Sequence, residues 1–288
     1  MGAFTRTLAH RSAVVSSRPV SLVLPMAGAL LLAALLFPIC WMLAASLMPE
    51  SRLFESRPLL PTAVTFEHYR ALFDERDFLV PIRNSLLVSG LTTLVAVPVA
   101  ALCAYALARL RMRGKGLVLA CVLAISMFPQ ISIVPPLYLI LRELRLLNTY
   151  PGLVLPYLTF SMPLGVWLLT GFFRQLPKDL EEAAMLDGAT RMRALRDVVL
   201  PLAAPGIAST AILTFLYCWN EFLFALSFTL GPDRYTVPVA ITLFRGRYQV
   251  PWGQVLAATV VATIPVALLV LACQRRIVAG LTVGATKG

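Results

Sequence analysis

The sequence predicts an all-α membrane protein with six transmembrane helices. Hydrophobic residues make up 59% of the 288-residue chain and charged ones only 14%, whereas a soluble domain carries nearer a quarter charged. The apolar residues gather into runs long enough to cross a hydrocarbon layer of roughly 30 Å. The remaining charges fall mostly in the gaps between the runs. Their excess, a formal net charge of +11, is spread over several gaps and forms no nucleic-acid patch, so it points to cytoplasmic loops and anionic lipid.

A basic start with Arg6, Arg11 and Arg18 precedes the first run, about 21–47. That run is longer than the apolar region of a signal peptide and reads as the first span. Residues 48–83, with Pro49, Pro58 and Pro61, read as a long external loop that holds a short interfacial helix over 66–73. The second span, about 84–107, opens with Asn84 and Ser85 as outer caps and contains Gly90 and Pro98. Arg109, Arg111, Arg113 and Lys115 then form a turn without a single acid, the best marker of the cytoplasmic face.

The third span, about 117–141, contains Pro129, Pro135 and Pro136; the fourth, about 152–173, contains Pro156, Pro163 and Gly165. A polar stretch, 174–201, separates it from the fifth span at about 205–230. An outer loop, 231–251, leads to the sixth span at about 252–273. The chain thus divides into an N-terminal part, 1–83, a core transmembrane bundle, 84–275, that includes the 174–201 stretch, and a short tail, 276–288. With the basic turn inside, both termini and the 174–201 stretch lie in the cytoplasm. Prolines and glycines recur within the spans, and lipid tolerates them where neighbouring helices or a water-filled cavity satisfy the freed backbone groups. The pattern predicts broken helices around a cavity.

The 174–201 stretch organises the rest. Asp179 and Glu182 stand at capping-box spacing. Helix formers follow to Leu186, and Gly188 suits a left-handed helix end. Thr190 caps a second short helix through Val199, which Pro201 stops. Leu180, Ala183 and Ala184 share a face, and the two alanines let an opposing surface come close. Two readings stay open at this level: an amphipathic connector, or a docking helix for a soluble partner. Glu181, Glu182 and Asp187 lack a nucleophile or metal partner, so no catalytic residue is expected. No metal site is expected either, because the five cysteines lie in apolar runs without CxxC spacing and both histidines are isolated.

Inside the fifth run stand Trp219, Asn220, Glu221 and Phe222. A mid-bilayer acid costs about 2.5–3.5 kcal/mol on insertion scales, so Glu221 should face a cavity or a partner. Either Trp219, Asn220 and Glu221 line a translocation path or its gate, or Asn220 and Glu221 tie helices together or sit at the outer interface. An aromatic face and an amide would suit a sugar's C–H surface and hydroxyls. Gln130, beside the Met127-Phe128-Pro129 break, and Tyr138 are further pathway candidates.

The stretch Glu182-Ala183-Ala184, three residues, Gly188, nine residues, then Val198-Val199-Leu200-Pro201 resembles the coupling loop of binding-protein-dependent ABC importer permeases, with Val198 where that pattern has isoleucine. Asn84-Ser85, the segment 105–110, Met127-Phe128-Pro129 and Trp219-Asn220-Glu221-Phe222 resemble the carbohydrate branch. The tail from Gln274 to Gly288 is similar to that of its smaller maltose- and trehalose-type permease. The resemblance implies an inner-membrane subunit that contacts an ATPase through Glu181, Glu182, Ala183, Ala184, Met185, Asp187, Gly188, Leu200 and Pro201. It also implies a tail contact through Thr286, Lys287 and Gly288. Its implied partners are a homologous second permease, two ATPase copies that bind ATP and magnesium, an extracellular sugar-binding protein and a carbohydrate substrate. This chain carries no G-x4-GK-[ST] phosphate loop and is expected to be no enzyme and to bind no cofactor itself. The alternatives are an ABC permease for another solute and an ion-coupled secondary transporter. The latter needs intramembrane relays, and Glu221 alone is offered.

Overall fold

The computed structural model describes residues 20–54, 63–244 and 250–282, and these are helix and loop throughout. The first helix, α1 (Val20–Ser46), packs against the last, α12 (Trp252–Thr282), at the margin of the bundle. Leu24, Leu30, Leu31 and Leu35 along α1 are exposed. A helix that is apolar all round belongs in lipid.

Between α1 and the bundle lies α2 (Glu67–Asp74), the short helix expected over 66–73, which buries His68 and Leu72. His68 Nε2 donates to Met48 O at 2.8 Å. Its ring lies over Gly253, where a Cβ would come within 2.2 Å of the imidazole. The Glu50 carboxylate accepts from the amides of Trp252 and Gly253, both at 2.9 Å. A carboxylate is favoured at a helix N-terminus, so the connection after α1 is pinned to the start of α12.

The core is formed by α3 (Leu79–Arg109), α6 (Tyr150–Gln175) and α9 (Leu200–Trp219), with α12 against α9. Small residues set the spacing, as they do between membrane helices generally. A Cβ on Gly165 would lie 3.2 Å from the Ala100 Cβ, and one on Gly206 would lie 2.5 Å from the Phe172 ring. Asn84 and Ser85 do not cap α3, which begins five residues earlier. Asn84 Nδ2 instead donates to the carbonyls of Asp233 and Tyr235, and Ser85 Oγ accepts from the Val237 amide. Both tie α3 to the 231–244 segment, which includes α11 (Val237–Thr242).

The third run is two helices, α4 (Lys115–Ser126) and α5 (Gln130–Glu143), bent by 86° between them. Pro129 stands at the break in an extended conformation; it has no amide hydrogen and disfavours a helical residue before it. The fifth run also differs from expectation. Helix runs from Arg191 to Trp219 and then breaks before α10 (Leu223–Phe228). Among the described residues, five helices are long and apolar enough to cross a membrane, or six if the bent α4–α5 pair counts as one crossing.

Candidate functional site

The polar stretch begins with α7 (Asp179–Leu186), just after Pro177. The expected capping box does not form. Lys178 is the N-cap and has helical backbone angles, and its carbonyl takes the amides of Glu181 and Glu182, both at 3.0 Å. The Glu182 amide, which an Asp179 cap would take, is therefore already occupied. Asp179, Glu181 and Glu182 all lie in the first turn, where the helix dipole favours negative charge.

The two adjacent glutamates point to different places. Glu181 is 5% exposed. Its Oε1 accepts from the Tyr105 hydroxyl at 2.5 Å, and its Oε2 lies 3.3 Å from Arg109 Nε. Arg109 Nη2 donates to the Leu176 carbonyl at 2.9 Å, so the same guanidinium grips both α7 and the chain leading into it. Glu182 and Ala183 are exposed, and Leu186 is 88% exposed. Ala184 and Met185 are half-buried.

The end of α7 forms as its glycine predicts. Gly188 has φ +88°, its amide donates to Met185 O, and the Ala189 amide donates to Ala184 O. These two bonds make a Schellman ending. Thr190 caps α8 (Arg191–Ala194) by accepting from the Arg193 amide at 3.3 Å. Pro201 does not stop the helix, contrary to expectation. A π-helical turn, Leu195–Val199, lets the Leu200 amide reach Leu195 O, and the altered register admits the proline at the start of α9. Leu195 and Val199 pack into the cluster that holds Tyr105, Leu107, Leu169 and Phe173. The stretch is thus a short exposed helix on a rigid, buried base.

In the membrane half, Glu221 is 8% exposed. Its carboxylate accepts from the amides of Phe224 at 2.8 Å and Ala225 at 3.1 Å, satisfying donors at the start of α10. Trp219 is buried and stacks on Phe215, with ring centres 5.8 Å apart. Asn220 is exposed and donates to Leu216 O at 2.8 Å. Gln130 Nε2 donates to the Tyr217 hydroxyl at 2.7 Å. Tyr138 packs, half-buried, against the cluster of Tyr157, Phe160 and Phe224. Trp219, Asn220 and Glu221 are therefore adjacent in sequence but occupy different environments. Thr286, Lys287 and Gly288 lie outside the described residues.

Sequence reasoning missed Arg109 and Tyr105, because Arg109 reads as one of four topology-marking cations. Their separation by four residues on one helix face was the available signal.

These features define a multi-span membrane protein, with broken helices and a firmly seated polar helix between two of its apolar spans. Residues 96–283 match the family described as the binding-protein-dependent transport system inner membrane component, and the chain belongs to that family. Among its relatives is the trehalose transport system permease protein SugB of Mycobacterium tuberculosis, 47% identical over 255 residues, or 88% of this chain and 93% of that one. Another is the trehalose/maltose transport system permease protein MalG of Thermococcus litoralis, 44% identical over 265 residues, or 91% and 95% of the two chains. A chain in the crystal structure of a bacterial ABC transporter that imports the acidic polysaccharide alginate shares the fold. It has a TM-score of 0.73 at 22% identity and covers 88% of this chain and 96% of that one.

Proposed function

We propose that this chain is one of two homologous permeases in an ABC importer for a di- or oligosaccharide, receiving the ATPase stroke through α7. The observation that carries the reading is the division of labour between neighbouring glutamates. Glu181 locks α7 to α3 through Arg109 and Tyr105, while Glu182, Ala183 and Leu186 stay exposed. A helix that must transmit force needs a rigid root and a free face, and this one has both. The small Ala183 side chain lets a partner's cleft close on the backbone.

The substrate class rests on the relatives, whose names specify trehalose and maltose. The same ion pair supports the orientation. It brings the basic turn starting at Arg109 and the 174–201 stretch to one end of the bundle, as a shared cytoplasmic face requires. Two copies of an ATPase would dock there and bind ATP and magnesium. A second permease would complete the pathway, and an extracellular binding protein would deliver the sugar at the opposite end, near Asn84 and Asp233. Both termini then lie in the cytoplasm, with the tail directed to the ATPases.

The test is reconstitution of this chain with a candidate second permease, ATPase and binding protein in liposomes. ATP-dependent uptake of trehalose or maltose, and ATP hydrolysis stimulated by the loaded binding protein, are the expected results. Uptake of neither these nor any other sugar, with a non-sugar solute carried instead, would overturn the substrate class.

A further inference from the structure

We propose that a groove at the α4–α5 bend is this chain's own contact surface for a sugar ring in transit, an assignment that rests on the carbohydrate-import reading above. The groove encloses about 190 Å³ and is lined by Ser126, Gln130, Phe160, Leu164, Trp167 and Tyr217. It brings together α4, α5, α6 and α9, and it sits beside the break in the third crossing.

Three observations point to a hydrated solute there. The first is the break itself. Both arms of the bent pair are apolar enough to lie in hydrocarbon, so the non-helical backbone between them is at membrane depth. Met127 beside it is 85% exposed on this chain. Non-helical backbone at that depth is tolerated only against protein or a water-filled cavity, so this side does not face lipid.

The second is the polar pair in the groove. Gln130 spends one amide hydrogen on the Tyr217 hydroxyl at 2.7 Å. The amide oxygen, the second amide hydrogen and the Tyr217 proton have no partner among the described residues. They offer one acceptor and two donors, which is the complement a sugar hydroxyl needs.

The third is the aromatic wall. Trp167 is 51% exposed, so its indole presents a broad apolar face with a polar edge. Phe160, two helical turns earlier on α6, also lines the groove and packs on Phe224, with ring centres 5.1 Å apart. The Phe224 amide in turn is bound by Glu221, so Glu221 positions this wall from outside the groove. The volume is below the roughly 300–1,000 Å³ of a complete small-molecule site. It therefore fits one face of one ring, with the opposite wall supplied by the second permease.

The experiment uses the reconstituted complex with trehalose and maltose as probes, comparing Trp167→Leu, Trp167→Phe and Gln130→Leu for uptake per assembled transporter. Trp167→Leu keeps an apolar wall without a stacking face and should lower uptake roughly tenfold, while Trp167→Phe should remain within about threefold of wild type. Gln130→Leu should lower it roughly three- to tenfold. If leucine and phenylalanine at 167 both retain uptake, the groove holds lipid or plain packing and the assignment is overturned. Equal losses in all three, in step with less assembled complex, would make these residues structural and overturn it too. Absence of sugar uptake by the wild-type complex is a separate result that removes the import reading beneath it.

Discussion

Breaking the Glu181 anchor should uncouple the transporter. The Arg109 and Glu181 side chains are 3% and 6% exposed, so solvent screens the pair little. Removing one member of a buried pair costs about 3–5 kcal/mol, because the survivor keeps its desolvation without its partner. In Glu181→Ala the stranded Arg109 would keep one hydrogen bond, to Leu176 O. That cost lowers the population with α7 seated on α3 by roughly two to three and a half powers of ten. Tyr105→Phe removes a hydrogen bond to a charged acceptor and should cost about 1.5–3 kcal/mol. The assay is a double-mutant cycle on the reconstituted complex, measuring sugar uptake per ATP hydrolysed. Glu181→Gln and Arg109→Gln should each lower that ratio strongly. The two together should do less damage than their sum, because no buried charge is left unpaired. Strictly additive effects, or a normal ratio in Glu181→Ala, would refute the claim that this pair seats the coupling helix.

Three further outcomes follow from the geometry. Gly188→Val places a β-branched residue at φ +88°, where an L-residue pays roughly 1–2 kcal/mol; the loop should fray, seen as faster proteolysis after Arg191, while the bundle stays folded. Gly206→Ala drives a Cβ to within 2.5 Å of the Phe172 ring, so it should lower the melting temperature in detergent, and Phe172→Leu in the same chain should restore part of the loss. Glu221→Leu leaves the amides of Phe224 and Ala225 without their acceptor, at about 1–3 kcal/mol per unsatisfied group. Glu221→Gln, which keeps one acceptor oxygen, should be milder in thermal unfolding, and equal losses in the two variants would argue against the capping role.

Much of the architecture was legible because the bilayer imposes it. Runs of apolar residues must be helices that cross lipid, and charges must collect between them. The spacing from Glu182 to Pro201 carried the family resemblance, and Gly188 announced its own left-handed backbone. Composition was blind to features that depend on which atoms meet. The run 117–141 carries no charged residue, so hydropathy could not show that it bends by 86°. Pro201 reads as a stop, but a π-turn absorbs it and the helix continues. Glu181 and Glu182 are chemically identical neighbours, and only the position of Arg109 and Tyr105, over seventy residues earlier, separates the buried one from the exposed one. Trp219 and Trp167 show the same limit: the tryptophan beside Asn220 and Glu221 is buried, while the one in a plain apolar run lines a groove.

The most direct test of the account is the effect of Glu182→Lys on ATP hydrolysis stimulated by the loaded binding protein. Glu182 is exposed and takes no part in the Arg109–Glu181 anchor. The substitution should therefore leave the chain inserted and paired with the second permease. The account predicts that stimulation is abolished and sugar uptake with it. Wild-type stimulation in that variant would contradict the assignment of α7 as the element that receives the ATPase stroke.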